Sequence, residues 1–188
     1  MANTEARALP GDAAWWAFLT AEFLTLSIFF VAYAWNRQGQ VEIFEAGQAL
    51  LNPNVGFANT LVLITSGYCA ARGVGAADAG KGKQTSRWFS LAAVLGIVFV
   101  AIKTWEYVGK FQAGINLSTS DFTFFYFFLT GFHYLHVLLG IGFLLVMAYR
   151  CRRPELTAST TRNVASCAAF WHMLDLVWVI LFPLLYLV

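Results

Sequence analysis

The chain has 188 residues, 59% of them hydrophobic and only 12% charged, an apolar share well above the roughly 45–50% of a soluble domain. Its formal net charge of +2 is too small, and its basic residues too scattered among loops, for a nucleic-acid-binding groove. The three cysteines, Cys69, Cys151 and Cys167, are an odd number without CxxC spacing, which excludes a disulfide framework and a cysteine zinc site.

A helix needs about 20 largely apolar residues to cross the hydrocarbon layer, because no backbone polar group can stay unpaired in lipid. Residues 1–14 read as a polar cytoplasmic tail, in which Pro10-Gly11-Asp12 forms a turn and helix cap. The tail lacks the order of a cleaved signal peptide, so the apolar run behind it is expected to stay in the membrane. Residues 15–188 read as an all-α, polytopic, five-helix transmembrane bundle, with spans at about 15–35, 55–71, 88–109, 122–149 and 164–188. Between the first two spans, VEIFEAGQALL follows a helical period and predicts a short helix on the outer surface. Asn52-Pro53-Asn54 opens the second span, and GVGAADAGKGKQTS after it has the glycine and polar content of a flexible loop.

Arg7, Arg72, Lys81, Lys83, Arg87, Arg150, Arg152, Arg153 and Arg162 fall on one side of this layout, and only Arg37, Lys103 and Lys110 on the other. The positive-inside rule then puts the N-terminus in the cytoplasm and the C-terminus in the periplasm. Trp15, Trp16, Trp35, Trp88 and Trp105 lie near span ends, as an aromatic belt requires. No repeat or inverted symmetry of the transporter kind is present.

An ionisable side chain at mid-bilayer costs about 2.5–3.5 kcal/mol on insertion scales, so each one calls for a partner and a reason. Glu22 lies two turns into the first span; Lys103 and Glu106, His133 and His136, and His172 and Asp175 each sit three apart on one helix face. The chain has three histidines, too few for the axial and copper ligands of a haem–copper centre. A lone three-histidine site remains arithmetically open, but packing is the favoured reading, with histidine N–H groups bonding across helices to carbonyls or to Asp175. Proton handling is the other. Glu22 divides evenly between a protonated structural donor and a proton relay, Lys103–Glu106 reads as a membrane-edge salt bridge, and Asp175 as a partner for His172 or a tryptophan N–H. The phenylalanines of FTFFYFF read as lipid-facing or packing residues.

Taken in order, AEFLTLSIFFVAY (21–33), NTLVLITSG (59–67), KTWEY (103–107), TGFHYLHVLLG (130–140) and WHMLDLVWVILFPLLY (171–186) resemble subunit III of the haem–copper oxidase superfamily over nearly the whole chain. The resemblance implies a non-catalytic accessory subunit in a bacterial cytoplasmic membrane, with no metal or redox centre of its own. Haem is expected in a large catalytic partner subunit, phospholipid around Glu22, and a role in proton supply or durability of the partner. Longer members carry two further helices that wall a lipid cleft, and the first span here corresponds to their third. Lys103 before Trp105-Glu106-Tyr107, where oxygen-reducing members carry glutamine, together with LPGDAAWWAFLTAEF, is similar to the short NorE-type proteins associated with nitric oxide reductase. The alternatives are subunit III of an aerobic cytochrome c or quinol oxidase, and an independent proton-coupled carrier built around Glu22, His133, His136 and Asp175.

Overall fold

A computed structural model describes residues 13–153 and 156–187. The tail and its Pro10-Gly11-Asp12 cap lie outside the described residues, apart from Ala13 and Ala14, which are already helical. The described residues form six helices: α1 (Ala13–Gly39), α2 (Val41–Gln48), α3 (Pro53–Asp78), α4 (Gly82–Gln112), α5 (Asp121–Arg150) and α6 (Ala158–Tyr186). The starts follow local chemistry. Asn52 caps α3 by accepting from the Asn54 N–H at 3.0 Å, with Pro53 in the first turn, where its missing N–H costs nothing. Ser120 and Thr123 form a reciprocal capping box on α5, and Thr157 accepts from the Thr160 N–H on α6.

α3, α4, α5 and α6 close into an antiparallel bundle in which α3 touches both α4 and α6, and α5 touches the same two. α1 lies outside it, fixed by the Tyr33 hydroxyl donating to the Leu184 carbonyl at 3.1 Å and by Phe29 set edge-on to Phe128. The predicted short helix exists as α2, anchored by Phe44, which is fully buried between Tyr33 and Phe122.

The stretch 73–86 is not the flexible loop its composition predicts: it is helical except for Ala79, Gly80 and Lys81. Most of its small residues are contact points. Gly73 lies against the Phe89 ring, Gly82 against the carbonyls of Cys151 and Arg153, and Ala76 and Ala77 are buried. Small residues let helices approach closely, which is how membrane helices gain van der Waals contact without a hydrophobic drive. Gly80 alone takes a turn conformation, with φ of 70°.

The other boundaries move outward: α6 begins at Ala158 instead of 164, and α3 runs to Asp78 instead of 71. Among the described residues, four helices, α1, α4, α5 and α6, are long and apolar enough to cross a membrane. α3 is nearly as long, with 26 residues, but falls short in hydropathy, carrying Asn59, Thr60 and Ser66. Those polar groups point inward: Asn59 donates to the Phe99 carbonyl, Ser66 to the Ala92 carbonyl at 2.7 Å, and Thr60 to its own helix at 2.8 Å.

The core centres on two tryptophans of α6. Trp171 lies against Gly96 and Gly140, where no Cβ fits, and donates to Ser66 Oγ at 3.1 Å. Trp178 donates to Thr60 Oγ1 at 2.9 Å and meets Phe99 edge to face, with centroids 4.8 Å apart. Both indole N–H groups are thus satisfied by hydroxyls of α3, as buried tryptophans require.

Candidate functional site: three intramembrane polar pairs

Among the described residues, three pairs of ionisable side chains within the long apolar helices form as the sequence spacing predicts or through the fold, and they differ in how completely the protein encloses them. The first is Lys103–Glu106, near the end of α4. Lys103 is 1% exposed, and its ammonium has three donors, all used: Glu106 Oε2 at 3.0 Å, Tyr126 Oη at 3.0 Å and Tyr186 Oη at 2.7 Å. Both tyrosine hydroxyls then donate to Glu106 Oε1, at 2.8 and 2.9 Å. The Tyr107 hydroxyl and Thr130 hydroxyl pair at 2.7 Å beside this cage, and Lys110 donates to the Leu50 carbonyl at 3.2 Å. The salt bridge expected from spacing forms, and the two tyrosines close it into a lock joining α4, α5 and α6. Tyr126 lies within FTFFYFF, and the one advance signal was that a tyrosine buried among phenylalanines needs a partner for its hydroxyl.

The second pair, Glu22–His136, joins α1 to α5, with Glu22 Oε2 and His136 Nε2 3.4 Å apart and both side chains 19% exposed. His136 Nδ1 lies 2.9 Å from the Phe132 carbonyl oxygen. A carbonyl only accepts, so Nδ1 carries the proton and Nε2 faces the carboxyl group. Glu22 Oε2 and His136 Nε2 thus face each other across the contact of α1 with α5. A void of about 10 Å³ lined by Glu22, Leu26, His133 and His136 adjoins them, at the lower limit of what holds a water molecule.

The third pair is His172–Asp175, at 3.3 Å on α6, with Asp175 Oδ2 packed against Gly67 of α3. Asp175 meets His172 and neither tryptophan, whose N–H groups go to Ser66 and Thr60.

His133 departs from expectation. It is buried, stacked on Trp178 with centroids 5.3 Å apart and edge-on to Phe99, and neither ring nitrogen has a hydrogen-bond partner. Of the expected histidine bonds, His172 meets Asp175 within α6 and His136 the Phe132 carbonyl of its own helix, while the one contact across helices is His136 with Glu22 at 3.4 Å. His133 is held as an aromatic ring between larger rings. Among the described residues, no group of three His, Cys, Asp or Glu side chains is placed to hold a metal ion. All three cysteines are buried and free. A cavity of about 480 Å³, lined by Trp15, Phe143, Met147, Arg162 and Asn163 among others, opens between α1, α5 and α6.

Long apolar helices that pair most of their mid-helix ionisable groups with one another define a polytopic helical membrane protein. Its particular family follows from comparison. The family model described as cytochrome c oxidase subunit III matches residues 13–188, and the chain belongs to that family. It is 33% identical over 179 residues to cytochrome c oxidase subunit 3 of a Synechocystis species, covering 90% of this chain and 72% of that protein. It is likewise 33% identical over 180 residues to the Thermostichus vulcanus protein of that name, covering 90% and 83%. A probable quinol oxidase subunit 3 of Staphylococcus saprophyticus is 26% identical over 180 residues, covering 92% and 86%. These names belong to cytochrome c and quinol oxidases, and none of the three supports the narrower likeness to nitric oxide reductase partners.

Proposed function

We propose that the chain is the third, accessory subunit of a haem–copper terminal oxidase, fed by cytochrome c or quinol, in a bacterial cytoplasmic membrane. It crosses the membrane five times with its N-terminus in the cytoplasm, α3 making the fifth crossing because α4 and α6 cover its polar residues. It binds the large haem-bearing subunit, carries no redox centre itself, and supports that subunit's proton supply and durability. The observation that carries this reading is the Glu22–His136 pair, a carboxyl–imidazole contact on a helix, α1, of which only 17% of the most apolar window is buried. An ionisable pair within a span supports the reading that Glu22 exchanges protons with whatever covers α1. The cavity between α1, α5 and α6, with Arg162 beside Trp15 and Phe143, suits a phospholipid.

Purification in mild detergent, with an absorption spectrum and metal analysis, is the test. Haem and copper are expected with the complex and no haem with this chain alone; haem bound stoichiometrically to the isolated chain would end the reading. Non-haem iron in place of copper in the co-purifying subunit would restore the nitric oxide reductase assignment that Lys103 before Trp105-Glu106-Tyr107 suggests.

A further inference from the structure

His172 stands midway along the 29-residue α6, about 21 Å from either end at the usual helical rise. Its side chain is 44% exposed, on the outer surface of the chain. Nδ1 faces Asp175, and Nε2 has no partner among the described residues. Asp175 is brought close to the same face because Gly67, with no Cβ, leaves room for the carboxylate, and Asp175 Oδ1 is buried without a partner. A polar pair at mid-membrane depth with open hydrogen-bonding capacity is what lipid tails cannot satisfy, since they offer neither donors nor acceptors.

The surroundings have the form of a helix-docking strip. On α6, Leu176 and Val179 follow His172 at i+4 and i+7 and are exposed; on α3, Leu61, Ile64 and Tyr68 are exposed at i, i+3 and i+7. Those spacings are the anchor pattern of a helix laid along a groove. Exposed apolar side chains alone would suit lipid equally well, so the buried-depth polar pair decides the matter.

We infer that the α3–α6 edge centred on His172 is the docking face for a transmembrane helix of the large haem-bearing subunit, one that presents a hydroxyl or amide side chain to His172 at mid-membrane depth. This rests on the reading of the chain as an oxidase subunit and adds the contact face to it. A hydroxyl or amide bonds the imidazole nitrogen whichever protonation state the His172–Asp175 pair holds, and such bonds between membrane helices set partner and register.

The test uses the full chain in its co-purified complex. A photo-reactive benzoyl-phenylalanine at Leu176 or Val179 is expected to form an adduct with the haem-bearing subunit on illumination, identified by mass spectrometry, while the same probe at the exposed Leu138 of α5, diagonally opposite α3, is not. Adducts to phospholipid alone from Leu176 and Val179, in preparations that retain the large subunit, would overturn the docking face and leave the oxidase reading standing. Absence of any haem-bearing subunit would overturn both. In parallel, His172→Leu is expected to leave the thermal transition of the isolated chain unchanged or higher, yet to weaken the complex about threefold to tenfold in detergent, the range of one interhelical hydrogen bond. His172→Gln, which keeps a hydrogen-bonding tip, is expected to recover part of that loss. A complex indifferent to His172→Leu would reject the assignment.

Discussion

Lys103→Met offers the sharpest test of the lock that joins α4, α5 and α6. Methionine keeps most of the volume of the lysine stem, so the change removes chiefly the ammonium and its three donated bonds. Tyr126 and Tyr186 lose a donor each but keep their own O–H groups on Glu106, so the hydroxyls remain partly satisfied. What is left is a carboxylate with two tyrosine bonds and no ion-pair partner in contact, only the more distant charge of Lys110, its side chain 10% exposed. Removing one partner of a buried ion pair costs about 3–5 kcal/mol, whereas replacing both partners by apolar groups is often near neutral. Lys103→Met is therefore expected to lower the thermal transition of the purified chain by roughly 10 °C, taking about 2–4 °C per kcal/mol for a chain of this size. Lys103→Met combined with Glu106→Leu is expected to recover at least half of that loss. Thermal unfolding in mild detergent, followed by tryptophan fluorescence, reads all the variants. A single variant within about 1 kcal/mol of the parent, or a double variant less stable than the single, would refute the account of Lys103 and Glu106 as an energetically coupled buried pair.

Glu22→Gln keeps a side chain able to bond His136 but removes the exchangeable carboxyl proton, so assembly should persist while partner turnover slows or fails sooner; kinetics unchanged over many turnovers would make Glu22 structural. His133→Phe should cost less than about 1.5 kcal/mol in thermal unfolding, because no hydrogen bond is lost and ring packing is kept, whereas His133→Ala leaves a void between Phe99 and Trp178 and should cost clearly more. Gly140→Ala should cost about 1–3 kcal/mol, since its Cβ would lie 2.8 Å from the Trp171 ring, which Gly96 already confines on another side. Lys110→Met should raise proteolysis of the chain between α2 and α3, where Lys110 alone is seen to hold the Leu50 carbonyl to α4, with a global cost of only about 1 kcal/mol.

The sequence carried the helices well because each apolar run is long and, at α3, Asn52-Pro53 marks the start; the caps Ser120 and Thr157 lie in polar stretches outside the apolar runs, which is why the span expected in α6 starts only at 164. It misled where one residue type serves two ends. Glycine at 73 and 82 looked like a chain breaker, yet both glycines are places where a ring or a carbonyl presses onto a helix, and only Gly80 turns the chain. In-helix pairs such as Lys103–Glu106 and His172–Asp175 were legible, since three-residue spacing forces neighbours onto one face. Glu22–His136 crosses 114 positions of sequence through packing of α1 on α5, which no local pattern encodes. The same holds for Tyr126 and Tyr186, whose hydroxyls reach Lys103 from two other helices. His133 failed expectation for the opposite reason: a histidine in a span is read by its nitrogens, and here the fold uses its ring.

The three ionisable pairs differ in closure, and that difference separates what the chain needs for itself from what it offers to others. Lys103–Glu106 is sealed by residues of α4, α5 and α6 and every ammonium donor is used, so nothing outside the chain is required for its stability. Glu22–His136 is partly open and lies where α1 meets the bundle, a helix only 17% buried over its most apolar window against 56% for α6. His172–Asp175 is open at mid-depth. Ionisable groups left open to lipid would carry a cost with no return, and the hydrophobic membrane gives no drive to hide them by helix association alone. The two unsealed pairs therefore only make energetic sense if a second protein or an ordered polar lipid completes them, one at α1 and one at the α3–α6 edge. It follows that stability of the isolated chain should respond strongly to Lys103 and weakly to Glu22 and His172, while properties of the complex should show the reverse order.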